Sequence, residues 1–317
     1  MGGQRMSYEQ IKRRIRACNY LTVAQLFLQN NFLLNRSLAF SDIKPRLLGH
    51  WGTCPGINIV YANLRAFYGD NFDFVLGPGH GFPALQANLF LDGELMKVDP
   101  FATPNADGIK YICKKFSWPG GFPSHASPIT PGVVCEGGEL GYALGMAYGM
   151  ALGHPEKIVC VLIGDGELET ATALASLNLN KLLGSAANGK VLPILHLNSY
   201  KISGPTVAGR KSERELNEMM RGSGYTPITV AGTEPEDFQN ALQKTKRLSS
   251  PLIILKTEKG WTGPEILDGK KISGNYLAHQ IPLPLAKSSQ EQLDLLEDWL
   301  HSYRFRELFD AEKGFTI

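Results

Sequence analysis

The sequence predicts an α/β protein with a mostly parallel sheet and helices on both faces. Two apolar runs, at residues 158–163 and 191–197, are rich in Val, Ile and Leu, as strands buried on both faces are. A helical pattern at 168–183 separates them, and Gly184 stands where that helix is expected to end. Strand, helix and strand form a βαβ unit, which brings the carboxyl ends of both strands to one edge of a parallel sheet.

Other segments extend this pattern. Residues 72–76 and 252–255 predict two more strands, and residues 20–32 carry the clearest helical periodicity near the N-terminus. Residues 141–152 predict a helix with three glycines on one face, at positions 141, 145 and 149. A face of small residues permits close packing, here against a sheet or a second subunit.

We divide the chain into three parts. Residues 1–50 form an N-terminal helical segment, 51–286 the α/β domain, and 287–317 a C-terminal helix with its flanking chain. The third part follows a Pro-rich connector, and Ser288 with Glu291 predicts a capping box at the start of its helix.

Composition excludes several classes of function. With 317 residues, 43% of them hydrophobic, the chain can bury a large core, while a net charge of +2 gives no reason to expect nucleic acid as a partner. No apolar stretch reaches the roughly 18 residues that cross a bilayer, so we expect no membrane partner. Five cysteines without C-x-x-C spacing are typical of a reducing compartment, and we expect a cytoplasmic protein.

Two polar side chains follow the two central strands. Asp165 comes directly after the first strand, between Gly164 and Gly166, and Asn198 comes directly after the second. A carboxylate and an amide oxygen at one sheet edge are ligands suited to Mg²⁺ or Ca²⁺, and the glycines allow a phosphate to approach the backbone. A strand-to-helix turn with a capping Asp has the same local sequence, so the motif alone leaves both interpretations open.

Four of the seven histidines lie in loops rich in Gly and Pro: His50, His80, His125 and His279. Such loops pack loosely and favour close approach of a ligand, and imidazoles titrate near neutral pH. The alternative for each is a structural role. His196, inside an apolar strand, is expected to be a hydrogen-bonded core residue, and His154 and His301 are expected at the surface.

Longer blocks make the chain resemble a known family. Residues 164–167 (GDGE), followed 33 positions after Asp165 by Asn198, resemble the motif that binds thiamine diphosphate and Mg²⁺. Six blocks, spread over nearly the whole chain and in the family's order, resemble the first third of phosphoketolases: LLGHWGT at 47–53, GPGHG at 77–81, SWPGGFPSH at 117–125, EGGELGY at 136–142, LPILHLN at 192–198 and KGWTGP at 259–264.

The resemblance implies a set of site residues. It assigns Mg²⁺ to Asp165, Asn198 and the backbone carbonyl of Tyr200, and it assigns active-site roles to the four loop histidines, His50, His80, His125 and His279. Lys259 matches a contact to the substrate's phosphate, and we count it among the cofactor-binding residues. The other residues implied near the cofactor's diphosphate are Gly137, Glu139, Gly164, Asp165, Gly166, Glu167 and Asn198.

The implied activity is thiamine-diphosphate-dependent cleavage of xylulose 5-phosphate or fructose 6-phosphate by inorganic phosphate, giving acetyl phosphate and an aldose phosphate. In the family, the Glu that activates the cofactor comes from a following pyrimidine-binding domain, usually of the other subunit. We therefore expect the 317-residue chain to be inactive alone and to work as a homodimer or with a separate pyrimidine-binding chain. A transketolase-like half-enzyme and a non-catalytic paralogue are the alternatives.

Two departures from the family pattern bear on the site. Cys135 stands where the family usually has His, and Phe82 follows residues 77–81 where Gly is usual. A phenylalanine so close to His80 is expected to narrow the substrate entrance.

Overall fold

Five parallel strands form the central sheet of the computed structural model, which describes residues 6–183 and 186–317. They are β1 (Asp73–Leu76), β2 (Ile158–Gly164), β3 (Lys190–Leu197), β4 (Thr226–Ala231) and β5 (Pro251–Lys256). Their spatial order is β1-β2-β3-β5-β4, and every neighbouring pair is parallel. The predicted α/β class is confirmed, and β4 is a strand that the sequence patterns did not indicate.

Helices connect and cover the strands: α1 (Tyr8–Phe27), α2 (Cys54–Tyr68), α3 (Phe82–Leu91), α4 (Ala106–Lys115), α5 (Ala143–Ala151), α6 (Ala171–Ser176), α7 (Leu179–Leu183), α8 (Val207–Arg210), α9 (Glu213–Gly222), α10 (Pro235–Thr245) and α11 (Gln290–Ser302). Two short antiparallel hairpins lie outside the sheet: β6 (Ile266–Leu267) with β7 (Lys270–Lys271), and β8 (Phe309–Asp310) with β9 (Gly314–Phe315).

Alternate side chains of the central strands enter two hydrophobic clusters, one on each face of the sheet. In β2, Cys160 and Leu162 belong to the cluster that includes α1, α2 and α3. Val159, Val161 and Ile163 belong to the opposite cluster, with α5 and α9. Because both faces are covered, the strands carry apolar residues almost without interruption, which is the pattern seen in the sequence.

The helix predicted at 168–183 is wrong as a single element. A 3₁₀ turn occupies Glu167–Glu169, and Thr170 then leaves the helical conformation, with ψ 147°. The Thr170 hydroxyl accepts a hydrogen bond from the N–H of Ala173 and so begins the new helix α6, after which α7 follows separately. The predicted helix end at Gly184 lies outside the described residues.

The predicted capping box at the C-terminal helix is also wrong by one residue. Ser289, not Ser288, caps α11 by accepting from the N–H of Gln292. The N–H groups of Ser288 and Ser289 both donate to the carbonyl of Leu285, so a turn delays the first helical residue to Gln290.

Of the three glycines predicted on one helix face, Gly141 lies outside the helix. It precedes α5 and has a φ of 104°, and a side chain there would collide with the hydroxyls of Thr170 and Thr172. A side chain at Gly145 would come within 3.3 Å of the Ser176 hydroxyl, whereas one at Gly149 would meet open space. Close packing therefore joins Gly141 and the first half of α5 to α6, while the face around Gly149 stays uncovered.

Across the described ranges 6–183 and 186–317, no helix combines the length and the apolar character that crossing a membrane requires.

Candidate functional site

The predicted site residues meet in one cavity of about 340 Å³ at the carboxyl edge of the sheet. The loop after β2 supplies Asp165, the loop after β3 supplies Asn198, and the loop after β5 supplies Lys259. Of the site residues predicted from the sequence, all but Glu139 line this cavity. It is also lined by residues that the sequence did not single out as site residues: Thr53, Pro78, Gly138, Leu140, Lys201 and Ile202.

The four loop histidines form a cluster centred on His50. Its ring centroid lies 5.1 Å from that of His80, 5.2 Å from that of His125 and 5.2 Å from that of His279. The rings of His80 and His279 are 4.8 Å apart. The four imidazoles thus lie around one space, although His50 and His279 are more than 200 positions apart in the chain.

Burial keeps these imidazoles neutral. It lowers the pKa of His50 to about 4, helped by the positive charge of Lys259 and by repulsion from His125 whenever that ring is protonated, and it lowers the pKa of His279 to about 3 with a further effect of Lys259. The pKa values of His80 and His125 are also lowered by burial. A neutral imidazole offers one donor and one acceptor nitrogen, so the cluster can both give and take hydrogen bonds at pH 7.

One nitrogen of the cluster has no protein partner. Nδ1 of His50 is buried and makes no hydrogen bond to any residue that the structure describes. By contrast, Nδ1 of His125 lies 3.0 Å from the Ser124 hydroxyl. Since buried polar atoms are nearly always paired, this nitrogen of His50 is available to a ligand that enters the cavity.

Asp165 is buried and surrounded by hydrogen-bond donors. Its Oδ2 accepts from the N–H of Ser199 at 2.6 Å and from the Thr206 hydroxyl at 3.2 Å, and its Oδ1 accepts from the N–H of Gly166 at 2.9 Å. Burial nevertheless raises its pKa to about 6. A cation beside this carboxylate would offset the cost of holding the charge in a buried place.

Glu167 connects the loops beneath the cavity. Its Oε1 accepts from the N–H of Gly141 at 3.2 Å and its Oε2 from the N–H of Gly164 at 3.1 Å. Burial raises its pKa to about 7. The side chain therefore joins the chain before α5 to the end of β2.

Lys259 lines the same cavity and is 2% exposed. Its Nζ donates to the carbonyl oxygen of Tyr200 at 2.6 Å and lies 3.1 Å from Nδ1 of His279. Burial lowers its pKa to about 8, against the opposing effect of the Asp165 charge. The carbonyl that the resemblance assigns to a metal is thus bound here by an ammonium group. The Asn198 side-chain oxygen accepts from the N–H of Tyr200 at 3.2 Å.

Two glycines allow close contact between two backbone segments beside the cavity. A side chain at Gly79 would overlap the backbone of Gly137, so both positions require glycine. Ala126 ties the two segments together, donating its N–H to Gly79 and accepting through its carbonyl from the N–H of Gly137. Glu139, two residues further on, is exposed and does not line the cavity, although its neighbours Gly138 and Leu140 do.

Phe82 does not narrow the entrance, and that prediction is wrong. It is fully buried at the first position of α3 and stacks on Phe116, with ring centroids 6.5 Å apart. The helix start turns its ring into the core, away from His80. Cys135 is also buried and packs in the cluster that includes α5.

Buried residues behind the cavity lining hold its loops in place. His196 is a core residue, as predicted, between the hydroxyls of Thr53 at 3.2 Å and Thr257 at 2.8 Å. The Trp51 indole donates to the Gly260 carbonyl at 3.2 Å and packs edge-on against Trp299 of α11. The C-terminal helix therefore supports the loops that carry His50 and Lys259. His154 and His301 are at the surface, as predicted.

Comparison with known proteins agrees with this arrangement. The XFP N-terminal domain family matches residues 4–248 and 237–316. A probable phosphoketolase of Rhodopseudomonas palustris is 46% identical over 324 residues, covering 95% of this chain and 41% of the relative. A probable phosphoketolase of Pseudomonas putida is 47% identical, covering 94% of this chain and 41% of the relative. The chain thus spans about two fifths of the length of the curated relatives that it matches.

Among solved structures, the transketolase of Leishmania mexicana superposes with a TM-score of 0.65 over 96% of this chain and 46% of the transketolase. Sequence identity is 19%, so this likeness concerns the fold alone.

Proposed function

Because this chain belongs to the XFP N-terminal domain family, we propose that it is the diphosphate-binding part of a thiamine-diphosphate-dependent phosphoketolase, a lyase. The observation that carries the proposal is the convergence of four neutral imidazoles, Lys259 and Asp165 on one cavity at the carboxyl edge of a parallel sheet. That edge is where ligands bind in this class of fold.

The proposed reaction takes xylulose 5-phosphate or fructose 6-phosphate with inorganic phosphate and yields acetyl phosphate, an aldose phosphate two carbons shorter, and water. When bound, thiamine diphosphate supplies the electron sink that the broken C–C bond requires. The work left to the protein is to hold the sugar hydroxyls, move protons and keep water out.

The site fits the diphosphate and its cation. Asp165, the Asn198 side-chain oxygen and the Tyr200 carbonyl form an all-oxygen donor set suited to Mg²⁺ or Ca²⁺. In this proposal they hold the cation, while the backbone at Gly137, Gly164 and Gly166 lines the place of the diphosphate. Lys259 would contribute a positive charge to a phosphate group in the same cavity. In the described part of the chain, no cluster of three His, Cys, Asp or Glu offers another kind of metal centre.

The histidine cluster provides the proton-transfer groups. In this proposal the unpaired Nδ1 of His50 binds a substrate hydroxyl, and the three other imidazoles, whose ring centroids lie 5.1–5.2 Å from that of His50, are neighbouring proton donors and acceptors for the same substrate. Since all four pKa values are lowered, the cluster is neutral at pH 7 and can act as base first and as acid afterwards.

We also propose that this chain works against a second protein surface, either its own copy or a pyrimidine-binding domain. Two acidic side chains line the cavity, Asp165 and Glu167, and both oxygens of each already accept backbone N–H groups or stand in the cation site. The Glu that activates the cofactor in the family would then come from that second surface.

Calorimetric titration with thiamine diphosphate tests the proposal. We expect binding that requires Mg²⁺, disappears in EDTA and is lost in Asp165→Ala. Asp310→Ala, which removes an exposed carboxylate far along the chain, is the matched control and should bind as the unmodified chain does. Binding that survives EDTA, or that Asp165→Ala retains, would refute the assignment.

A further inference from the structure

A second cavity, of about 400 Å³, lies at the start of the two loops that carry His50 and His125. Three lysines and an indole dominate its lining: Lys44, Lys114, Lys115 and Trp118. Lys44 stands six residues before His50, and Trp118 stands seven residues before His125. The lysine pair forms the C-terminal end of α4.

Lys44 is an unusual cation because it is buried, with 5% of its surface exposed. Its Nζ donates to the carbonyl of Gln25 at 2.6 Å and to the carbonyl of Phe116 at 3.2 Å, and it lies 5.4 Å from the centroid of the Phe116 ring. An ammonium group has three N–H donors, so one of them has no acceptor among the described residues. Burial lowers the pKa of Lys44 to about 8, against an opposing effect of the Cys113 thiol.

The other two lysines are also without acidic partners. Within residues 6–183 and 186–317, neither Lys114 nor Lys115 forms an ion pair, and the same holds for Lys44. This contrasts with the chain as a whole, where 32 basic residues nearly balance 30 acidic ones. Three lysines that lack carboxylate partners around one concave space attract an anion, and a buried ammonium is stabilised by a charged partner that can reach it.

We propose that this cavity is a second binding site, for a small phosphate compound carrying at least two negative charges. Lysine ammonium groups bind phosphoryl oxygens as point charges, and Lys44 would give its third N–H to such an oxygen. Lys114 and Lys115 close the site from the helix end, and the Trp118 indole, 46% exposed, forms an apolar wall beside the anion.

The position of the site links it to the histidine loops. Through its bond to the Phe116 carbonyl, Lys44 fastens the segment before His50 to the segment before His125. An anion on Lys44 therefore contacts the group that holds these two segments together.

Inorganic pyrophosphate is the probe. Titration of the 317-residue chain at pH 7 in EDTA, followed by calorimetry and by tryptophan emission, should show saturable binding. Lys114→Gln/Lys115→Gln should weaken it by roughly tenfold or more, as expected for the loss of two charge-assisted contacts. Trp118→Phe should remove the change in emission while the calorimetric binding remains.

A matched control variant separates this site from a general effect of charge. Lys270→Gln/Lys271→Gln removes the same charge from an exposed hairpin and should bind pyrophosphate like the unmodified chain. The proposal is overturned by an absence of binding, by unchanged binding in Lys114→Gln/Lys115→Gln, or by equal weakening in both lysine pairs.

Discussion

The ammonium of Lys259 donates a hydrogen bond of 2.6 Å to the carbonyl oxygen of Tyr200. That carbonyl is one of the three oxygens proposed to hold the cation, and Asp165, another of the three, lies close enough to influence the pKa of Lys259. A positive side chain thus stands at the place proposed for a positive ion. It balances the buried Asp165 carboxylate in the chain described here, and it would have to release the carbonyl, or share it, when a metal binds.

Replacing Lys259 with Met should strengthen metal binding. Removing a unit positive charge a few Å from the cation favours the metal by about 1 kcal/mol or more, which is roughly a tenfold change in dissociation constant. Titration of the protein with Mn²⁺, monitored by electron paramagnetic resonance of the free ion, measures this without any turnover.

Two further variants control this measurement. Lys259→Arg keeps the charge and should bind Mn²⁺ as weakly as the unmodified chain. Lys201→Met removes another lysine of the cavity, one that is paired with Glu169, and should have a smaller effect. If Lys259→Met binds Mn²⁺ no more tightly than the unmodified chain does, Lys259 does not oppose the metal.

Glu167 should make the stability of the fold depend on pH. Its pKa is raised from 4.5 to about 7 by burial, so between these values the folded state holds a proton that the unfolded state has lost. The contribution of this group is therefore present at low pH and declines as pH rises to about 7, by at most about 3 kcal/mol.

Urea unfolding of Glu167→Gln at pH 5 and pH 8 measures this contribution. The variant should be less stable by about 1–3 kcal/mol at pH 5, because its amide offers one acceptor oxygen to the two N–H groups of Gly141 and Gly164. The deficit should shrink at pH 8. Glu139→Gln, exposed in the same region, should follow the unmodified chain at both pH values. A deficit that is the same at pH 5 and pH 8 would contradict the role of burial.

The purified 317-residue chain should not make acetyl phosphate alone. Its two cavity carboxylates are committed to backbone N–H groups and to the proposed cation, so none is left to activate the cofactor. Hydroxamate detection should stay at background with xylulose 5-phosphate or fructose 6-phosphate, phosphate, thiamine diphosphate and Mg²⁺. A full-length phosphoketolase assayed beside it is the positive control, and turnover by the chain alone would show that one of its own carboxyl groups is sufficient.

The chain should associate through the uncovered face around α5. Met146 on this helix is 41% exposed and Leu152 just beyond it is 54% exposed, and Gly149 leaves open space between them. An apolar surface of this kind marks an interface, and we expect a homodimer or a complex burying about 2,000 Å² or more. Light scattering at tens of micromolar should report it.

Met146→Glu tests which surface is involved. It should weaken association, whereas Ile266→Glu, at a 58% exposed position on β6, should leave it unchanged. If the chain stays monomeric and binds no pyrimidine-domain protein, the prediction of an interface at this face is wrong.

Several features could be predicted from the sequence because they depend on local chemistry. The apolar runs of β2 and β3 identify strands buried on both faces, and parallel pairing then brings Asp165 and Asn198 to one edge. The resemblance to phosphoketolases grouped His50, His80, His125 and His279, although nothing in their spacing does so.

Other features depended on individual hydrogen bonds and packing contacts that the pattern of residue types does not reveal. The helix after Asp165 is interrupted because the Thr170 hydroxyl starts a new helix, and Ser289 displaces Ser288 because of a turn at Leu285. Phe82 enters the core because the start of α3 orients its ring toward Phe116. A pattern of residue types predicts which elements form, but the direction of one side chain depends on the neighbours it packs against.

The sequence by itself therefore determined the α/β class, the sheet edge that carries the site and the residue types that meet there. Tertiary structure alone decided their electrostatics. In water, these side chains titrate at their usual pKa values. Burial in one shared cavity raises the pKa values of Asp165 and Glu167 and lowers those of Lys259 and the four imidazoles. Tertiary structure also decided that Lys259 reaches the Tyr200 carbonyl, 59 residues away along the chain, because that contact exists only once β3 and β5 pair side by side.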